Sequence, residues 1–151
     1  MLLQFPQSFH YTKKSRLYLE SLIKGMSPFP VCVEFRQREW LRDSVYTTLR
    51  EMDTGFVCVD EPPLRGLLPP VAVATSALGY IRFHGRNSSQ WYTGDSKDRY
   101  DYLYREDELR EWLPKITLLS SQADKVYIFF NNHKKGQAIT NARMMIDLLG
   151  V

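Results

Sequence analysis

The run Tyr80-Ile81-Arg82-Phe83-His84-Gly85-Arg86 places a polar side chain at every second position. Along an extended strand, alternate residues share a face, so Tyr80, Arg82, His84 and Arg86 fall on one side and Ile81 and Phe83 on the other. The chemistry such a face could do is specific. Arg82 and Arg86 could hold a phosphate or carboxylate through bidentate hydrogen bonds. His84 could serve as a general acid or base, because its unperturbed pKa lies near neutrality. Gly85 closes the strand, and a long polar loop follows, as at a binding site built on a strand's C-terminal end. A solvated strand face shows the same alternation, so the pattern by itself leaves both readings open.

Other strands end in the same way. Leu2-Leu3-Gln4-Phe5, stopped by Pro6, reads as a short buried strand that exits on Gln4. Thr12 then caps a helix over 13–24 with Leu19, Leu22 and Ile23 inside and Gly25 as its stop. Pro30 to Phe35 is the next strand and leaves on Glu34 and Arg36, before a helix with Leu41, Val45, Leu49 and Met52 at helical spacing. Phe56 to Val59 makes a third strand ending on Asp60 and Glu61. Residues 62–78, rich in Pro, Gly and Ala, cross as a loop.

After the strand at 79–84, about twenty residues carry Trp91, Tyr92, Tyr100, Tyr102 and Tyr104 among polar neighbours. So many aromatics suit an ordered lid, and equally a loop packed over the sheet. A helix over 106–121 presents Leu109, Trp112, Leu113, Ile116 and Leu119, with Pro114 kinking it or marking its true start. Lys125 to Phe130 is nearly continuously apolar, as for a parallel strand covered on both sides, and ends in Asn131-Asn132-His133. The last helix, about 136–149, puts Ala138, Ile139, Ala142, Met145, Ile146 and Leu149 on one stripe, and Gly150 ends it.

This alternation implies an α/β fold of about five parallel strands with right-handed crossovers. The strands' C-terminal ends then bring together Gln4, Glu34, Arg36, Asp60, Glu61, Arg82, His84, Arg86, Asn131, Asn132 and His133. Ligands of parallel α/β sheets sit at that edge. Glu34 or Asp60 could tune His84, and Asn131 and Asn132 could orient hydroxyls or carbonyls. Each residue also has a structural role open to it: Glu34 with Arg36 or Arg82 as an ion pair, Asn132 as a helix cap. A metal held by Glu34, Asp60 and His84 has no spacing signature behind it, and no metal is assigned. No cofactor is identified: phosphate-binding glycine loop, nucleophile elbow and Cys-x-x-Cys are all missing from the sequence.

Composition bounds the class. With 44% hydrophobic and 25% charged residues in 151, the chain has the make-up of one globular domain with its own core. A net charge of +3 is too small to argue for nucleic-acid binding by itself, while anionic small molecules stay open. Cys32 and Cys58 lie inside apolar runs and read as buried reduced thiols. No run reaches the roughly 18 apolar residues of a membrane span, and the N-terminus has no leader pattern. A cytoplasmic protein without a membrane partner is expected.

Taken together, Leu2-Leu3-Gln4-Phe5-Pro6, Val33-Glu34-Phe35-Arg36, Val59-Asp60, Tyr80 to Arg86, Arg99-Tyr100-Asp101-Tyr102 and Phe129-Phe130-Asn131-Asn132-His133 resemble the domain of unknown function 72, or YecE-like, family. The resemblance runs through the whole chain in family order and implies a TIM-type barrel of unassigned activity. Carried over, it marks Gln4, Glu34, Arg36, Asp60, Arg82, His84, Arg86, Tyr100, Tyr102, Asn131 and Asn132 as a shared site. One departure lies inside it: Gln37 stands where the family reads histidine. A second is that the match begins midway through the family's barrel, so the chain is expected to be its C-terminal portion, one partial domain over 1–151.

Three functions follow as expectations. The first is an enzyme acting on a small phosphorylated or carboxylated substrate, with His84, Glu34 and Asp60 catalytic and Gln4, Arg36, Arg82, Arg86, Tyr100, Tyr102, Asn131 and Asn132 binding. The second is an anion- or nucleic-acid-binding module using the same arginines and the tyrosine-rich loop. The third is an inactive half-barrel, its open strand edges favouring self-association or a separate N-terminal partner.

Overall fold

The computed structural model describes residues 1–93 and 95–151, the side chains of Ser96 and Lys97 excepted. Five parallel strands, β1 (Leu2–Gln4), β2 (Cys32–Glu34), β3 (Gly55–Asp60), β4 (Leu78–Phe83) and β5 (Lys125–Phe130), form one sheet in the order of the sequence. Each strand therefore pairs with the next, and every connection must return the chain over one side of the sheet. Helix α1 (Lys13–Gly25) joins β1 to β2, and α2 (Asp43–Glu51), preceded by a 3₁₀ turn at Arg38–Trp40, joins β2 to β3. No helix joins β3 to β4; the 62–77 segment packs there instead, with the Thr75 hydroxyl accepting a hydrogen bond from the Phe56 amide (2.7 Å) and donating to the Thr54 carbonyl (2.6 Å). Short α3 (Ser96–Arg99), α4 (Glu106–Arg110) and α5 (Leu113–Ser120) lead into β5, and α6 (Gln137–Leu149) follows it.

Local signals set most boundaries. The Thr12 hydroxyl accepts from the Ser15 amide (3.1 Å) and starts α1 as expected of an N-cap. Gly25 is the last residue of α1, and the cap itself is Met26 in right-handed geometry rather than a left-handed glycine. Pro114 sits in the first turn of α5, so the expected single helix is two, divided at residues 111–112. Gly150, at φ +70°, closes α6 and donates to the Ile146 carbonyl.

The register divides the sheet into two faces. Val33, Phe35, Phe56, Cys58, Ile81 and Phe83 point toward the helices, where Trp40, Leu49, Leu109, Trp112 and Leu119 complete a core with no more than 1% exposure each. Both cysteines are buried and free.

Two sequence expectations fail on this map. Strand β5 is covered on one side only: its residues alternate exposed and half-buried, and Tyr127 and Phe129 are open at 41% and 44%. Continuous apolarity marks what each face could bury, whereas β5 ends the sheet order and its Tyr127 face carries no further layer among the described residues. The stripe on α6 is rotated as well. Asn141 and Met145 are buried while Ile139 and Ile146 are exposed, because Asn141 is drawn inward to bond the backbone N–H and C=O of Tyr104 (3.0 and 2.8 Å). Leaving those two buried peptide groups unpaired would cost more than exposing two isoleucines to one side.

Candidate functional site

Glu34 ends β2 on the face away from the helices and is fully buried. One carboxylate oxygen, Oε1, accepts from His84 Nε2 (3.1 Å) and lies 2.8 Å from Arg36 Nε; the other, Oε2, is bound by Arg82 Nη1. Arg82 also donates to Gln4 Oε1 at 2.8 Å, which ties β1 into the same group. Behind His84, Asn131 Nδ2 and Arg36 Nη2 reach Nδ1 at 3.1 and 3.4 Å. The neutral imidazole carrying its hydrogen on Nε2 satisfies all three contacts, donating to Glu34 and accepting at Nδ1.

Arg36 continues the network to a second carboxylate. Its Nη1 donates to Glu61 Oε2 (3.1 Å), and Glu61 Oε1 accepts from the Leu68 amide (2.9 Å). Burial alone would raise the Glu34 carboxyl, but the hydrogen bond from His84 and the charges of Arg36 and Arg82 outweigh it and hold Glu34 at about 2. At Glu61 burial wins over Arg36 and the Leu68 amide and pushes the group up to about 7. Burial also lowers His84 to about 4, the nearby guanidiniums adding to it against the pull of Glu34. Two carboxyls that share one arginine are thus pushed apart, the pattern of an acid-base pair.

A cavity of about 260 Å³ opens beside this network, lined by Gln4, Pro6, Gln7, Arg36, Leu67, Trp91, Tyr92, Arg99 and Tyr100. The Tyr100 ring stands 6.1 Å from that of His84 and 5.8 Å from that of His133.

Asp60 and Arg86 belong elsewhere. Asp60 pairs in register with Phe83, so it faces the helices, and its carboxylate accepts from Arg86 Nε (2.9 Å), Arg86 Nη2 (2.7 Å), Tyr104 OH (2.7 Å) and Trp112 Nε1 (2.7 Å). Arg86 also binds Glu111 (2.8 Å) and approaches Glu108, which accepts from the Tyr102 hydroxyl. The strand alternation that placed Arg86 beside His84 ends at Gly85, whose φ of +89° turns the chain over. A Cβ there would lie 2.8 Å from that of Tyr102. Asn132 is fully buried and donates to the Tyr102 carbonyl (2.8 Å) and to Asn141 Oδ1 (2.7 Å).

Of the eleven residues singled out from sequence, Gln4, Glu34, Arg36, Arg82, His84 and Asn131 form one network, with Tyr100 beside it. Asp60, Arg86 and Tyr102 form another, and Asn132 ties the Tyr102 backbone to α6. Glu34, Asp60 and His84 do not converge on one point. Gln37 turns toward Gln7 and His10, outside both networks. The sequence reading gave no role to Glu61, Trp91 or Arg99, which the fold brings to the Arg36 side. Glu61 is named among the strand-end residues without a role; nothing local marks the other two.

Comparison with known proteins bears on the family and the fold. Residues 1–151 match the family described as "Protein of unknown function DUF72". The UPF0759 protein YunF of Bacillus subtilis (strain 168) is 34% identical over all of this chain and 57% of its own length. A DUF72 family protein from Thermotoga maritima superimposes with a TM-score of 0.94 at 42% identity, over 99% of this chain and 57% of that one. Another from Enterococcus faecalis V583 gives 0.90 at 30% identity, over 100% of this chain and 58% of that one. The chain thus spans somewhat over half the length of the relatives it matches. Among the described residues no helix is long and apolar enough to cross a membrane. The family match over the whole chain, with five parallel strands that superimpose on solved members, makes this protein a member of the DUF72 family.

Proposed function

We propose that the chain carries part of an enzymatic site for acid-base chemistry on a small anionic substrate, phosphorylated or carboxylated, at the C-terminal ends of its strands. The observation that carries this reading is Arg36, which joins a carboxyl held at about 2 to one raised to about 7 and also lines the adjoining cavity. A group that titrates near neutrality exchanges protons at physiological pH, and one that stays ionised stabilises developing positive charge. In this reading Glu61, joined to the cavity through Arg36, is the group that changes protonation state, and Glu34 is the fixed charge. His84, closed off from solvent, orients Glu34 from behind, Arg82 holds Glu34 and Gln4 in place, and Arg36 meets the substrate's anionic group in the cavity. Arg86 is committed to Asp60 and Glu111. Strands beyond this chain, as in the longer relatives, would contribute further residues to the same mouth, and the open Tyr80, Tyr127 and Phe129 face supports a further layer there.

The test is a panel of phosphorylated and carboxylated sugars incubated in D₂O and followed by proton NMR for product or for solvent exchange at carbon. Conversion of one member is expected, and Glu61→Gln and Arg82→Ala should each reduce it by roughly 10²-fold or more. Conversion that both variants carry out at the unmodified rate rules the reading out.

A further inference from the structure

Resting on the reading just given, we propose that Arg99 and Arg36, both held against Trp91, form a subsite for the phosphate group of a small phosphorylated polyol or sugar. Trp91 is 3% exposed and is not itself a stacking platform for a ligand. Its ring is covered instead by guanidiniums, Arg99 at 5.6 Å and Arg36 at 6.0 Å from the ring centroid. The electron-rich ring therefore attracts both cations, which offsets part of the repulsion between like charges brought to one cavity.

Arg36 is balanced by Glu34 and Glu61, whereas Arg99 makes no ion pair among the described residues, and its buried Nε has no hydrogen-bond partner. A buried donor left unpaired is costly, and an anion in the cavity would satisfy it. Among the described residues the cavity lining contains both guanidiniums and no carboxylate, so the field inside favours an anion. Two fork-shaped donors suit the three oxygens of a phosphomonoester.

The remainder of the lining names the rest of the ligand. Gln4, Gln7, Tyr92 and Tyr100 offer amides and phenols suited to hydroxyl groups, and Gln7 already donates to the Tyr92 hydroxyl at 3.1 Å. At about 260 Å³ the space lies just below the usual range for drug-sized ligands, which fits a sugar phosphate and is small for a nucleotide.

The experiment is a titration of the chain at constant ionic strength with inorganic phosphate, glycerol 3-phosphate, glucose 6-phosphate, gluconate, glucose and a short single-stranded oligonucleotide. Binding is read by calorimetry and by tryptophan fluorescence, with Trp91→Phe assigning the signal against Trp40 and Trp112. Saturable binding of a sugar or polyol phosphate is expected, tighter than inorganic phosphate and absent for glucose. It should be ten- to a hundred-fold weaker in Arg99→Gln and partly restored in Arg99→Lys, with thermal melts showing all variants folded. Binding unchanged in Arg99→Gln overturns the proposal, as does no saturable binding. Gluconate as the tightest ligand overturns the phosphate assignment, and oligonucleotide binding with a steep salt dependence in place of the small phosphates points to a polyanion surface instead. If Arg99-dependent binding is found but no panel member is converted by the unmodified protein, the subsite stands and the enzymatic reading fails.

Discussion

Glu34 and Asp60 end neighbouring strands, and both are essentially closed to solvent, yet the two carboxylates are held in opposite ways. Asp60 accepts four hydrogen bonds, from Arg86, Tyr104 and Trp112, that use both oxygens and bind the 85–112 segment down onto the helix side of the sheet. The group is saturated with donors. Glu34 shares its guanidiniums with Glu61 and Gln4, abuts a neutral histidine, and lies beside a cavity. A buried charge completely matched by donors fixes structure; one that shares an arginine with a second carboxyl, as Glu34 does with Glu61, leaves that second carboxyl able to change state.

The largest expected effect is the one that separates these roles. Asp60→Asn puts an amide N–H against donors that have nowhere to turn, and should cost about 3–5 kcal/mol in urea unfolding. Glu34→Gln keeps an oxygen for His84 and Arg36, and Arg82 can turn to water, so although the charge held at about 2 is lost its cost should be smaller, about 2–3 kcal/mol. Equal losses from the two substitutions would mean that the Glu34 group is scaffold too.

Next comes the joint between the regions. Gly85→Ala combines a positive φ with a Cβ driven onto Tyr102, and about 2–4 kcal/mol of destabilisation is expected from strain and overpacking together. Crystallography or NMR of that variant should find Tyr102 moved and the His84 contacts kept. Displacement of His84 instead would show that the two networks are not independent.

The third prediction is a pH profile. His84, lowered to about 4, is neutral in the fold while the unfolded chain takes up a proton below about 6.5, so stability is lost as pH falls through that window. Glu61, raised to about 7 from 4.5, keeps its proton in the fold while the unfolded chain has lost it, so stability falls as pH rises from 4.5 to 7. The slopes oppose each other between about 4.5 and 6.5, and urea midpoints of the unmodified chain should be nearly flat there. Glu61→Gln removes one slope, and about 2–3 kcal/mol should then be lost on acidification over the same range. A profile equally flat in the variant would remove the two-carboxyl picture on which the proposed chemistry stands.

Period-2 and period-3.6 patterns, the Thr12 cap, Pro114 and Gly150 are local properties, so the order of strands and helices and the polar residues at the strand ends were legible from the chain itself. Gln4, Glu34, Arg36, Arg82 and His84 came together because a parallel sheet in sequence order leaves their positions no other edge to occupy. What tertiary structure alone decided was which side each end residue takes and who its partner is. One glycine at φ +89° sent Arg86 to Asp60, two buried peptide groups of Tyr104 turned α6 around Asn141, and the position of β5 at the end of the sheet left Tyr127 and Phe129 open. The near-neutral Glu61 and the meeting of Arg99 and Arg36 at Trp91 arise from residues tens of positions apart. Burial and charge at a point are sums over neighbours in space, and a linear pattern carries only neighbours along the chain.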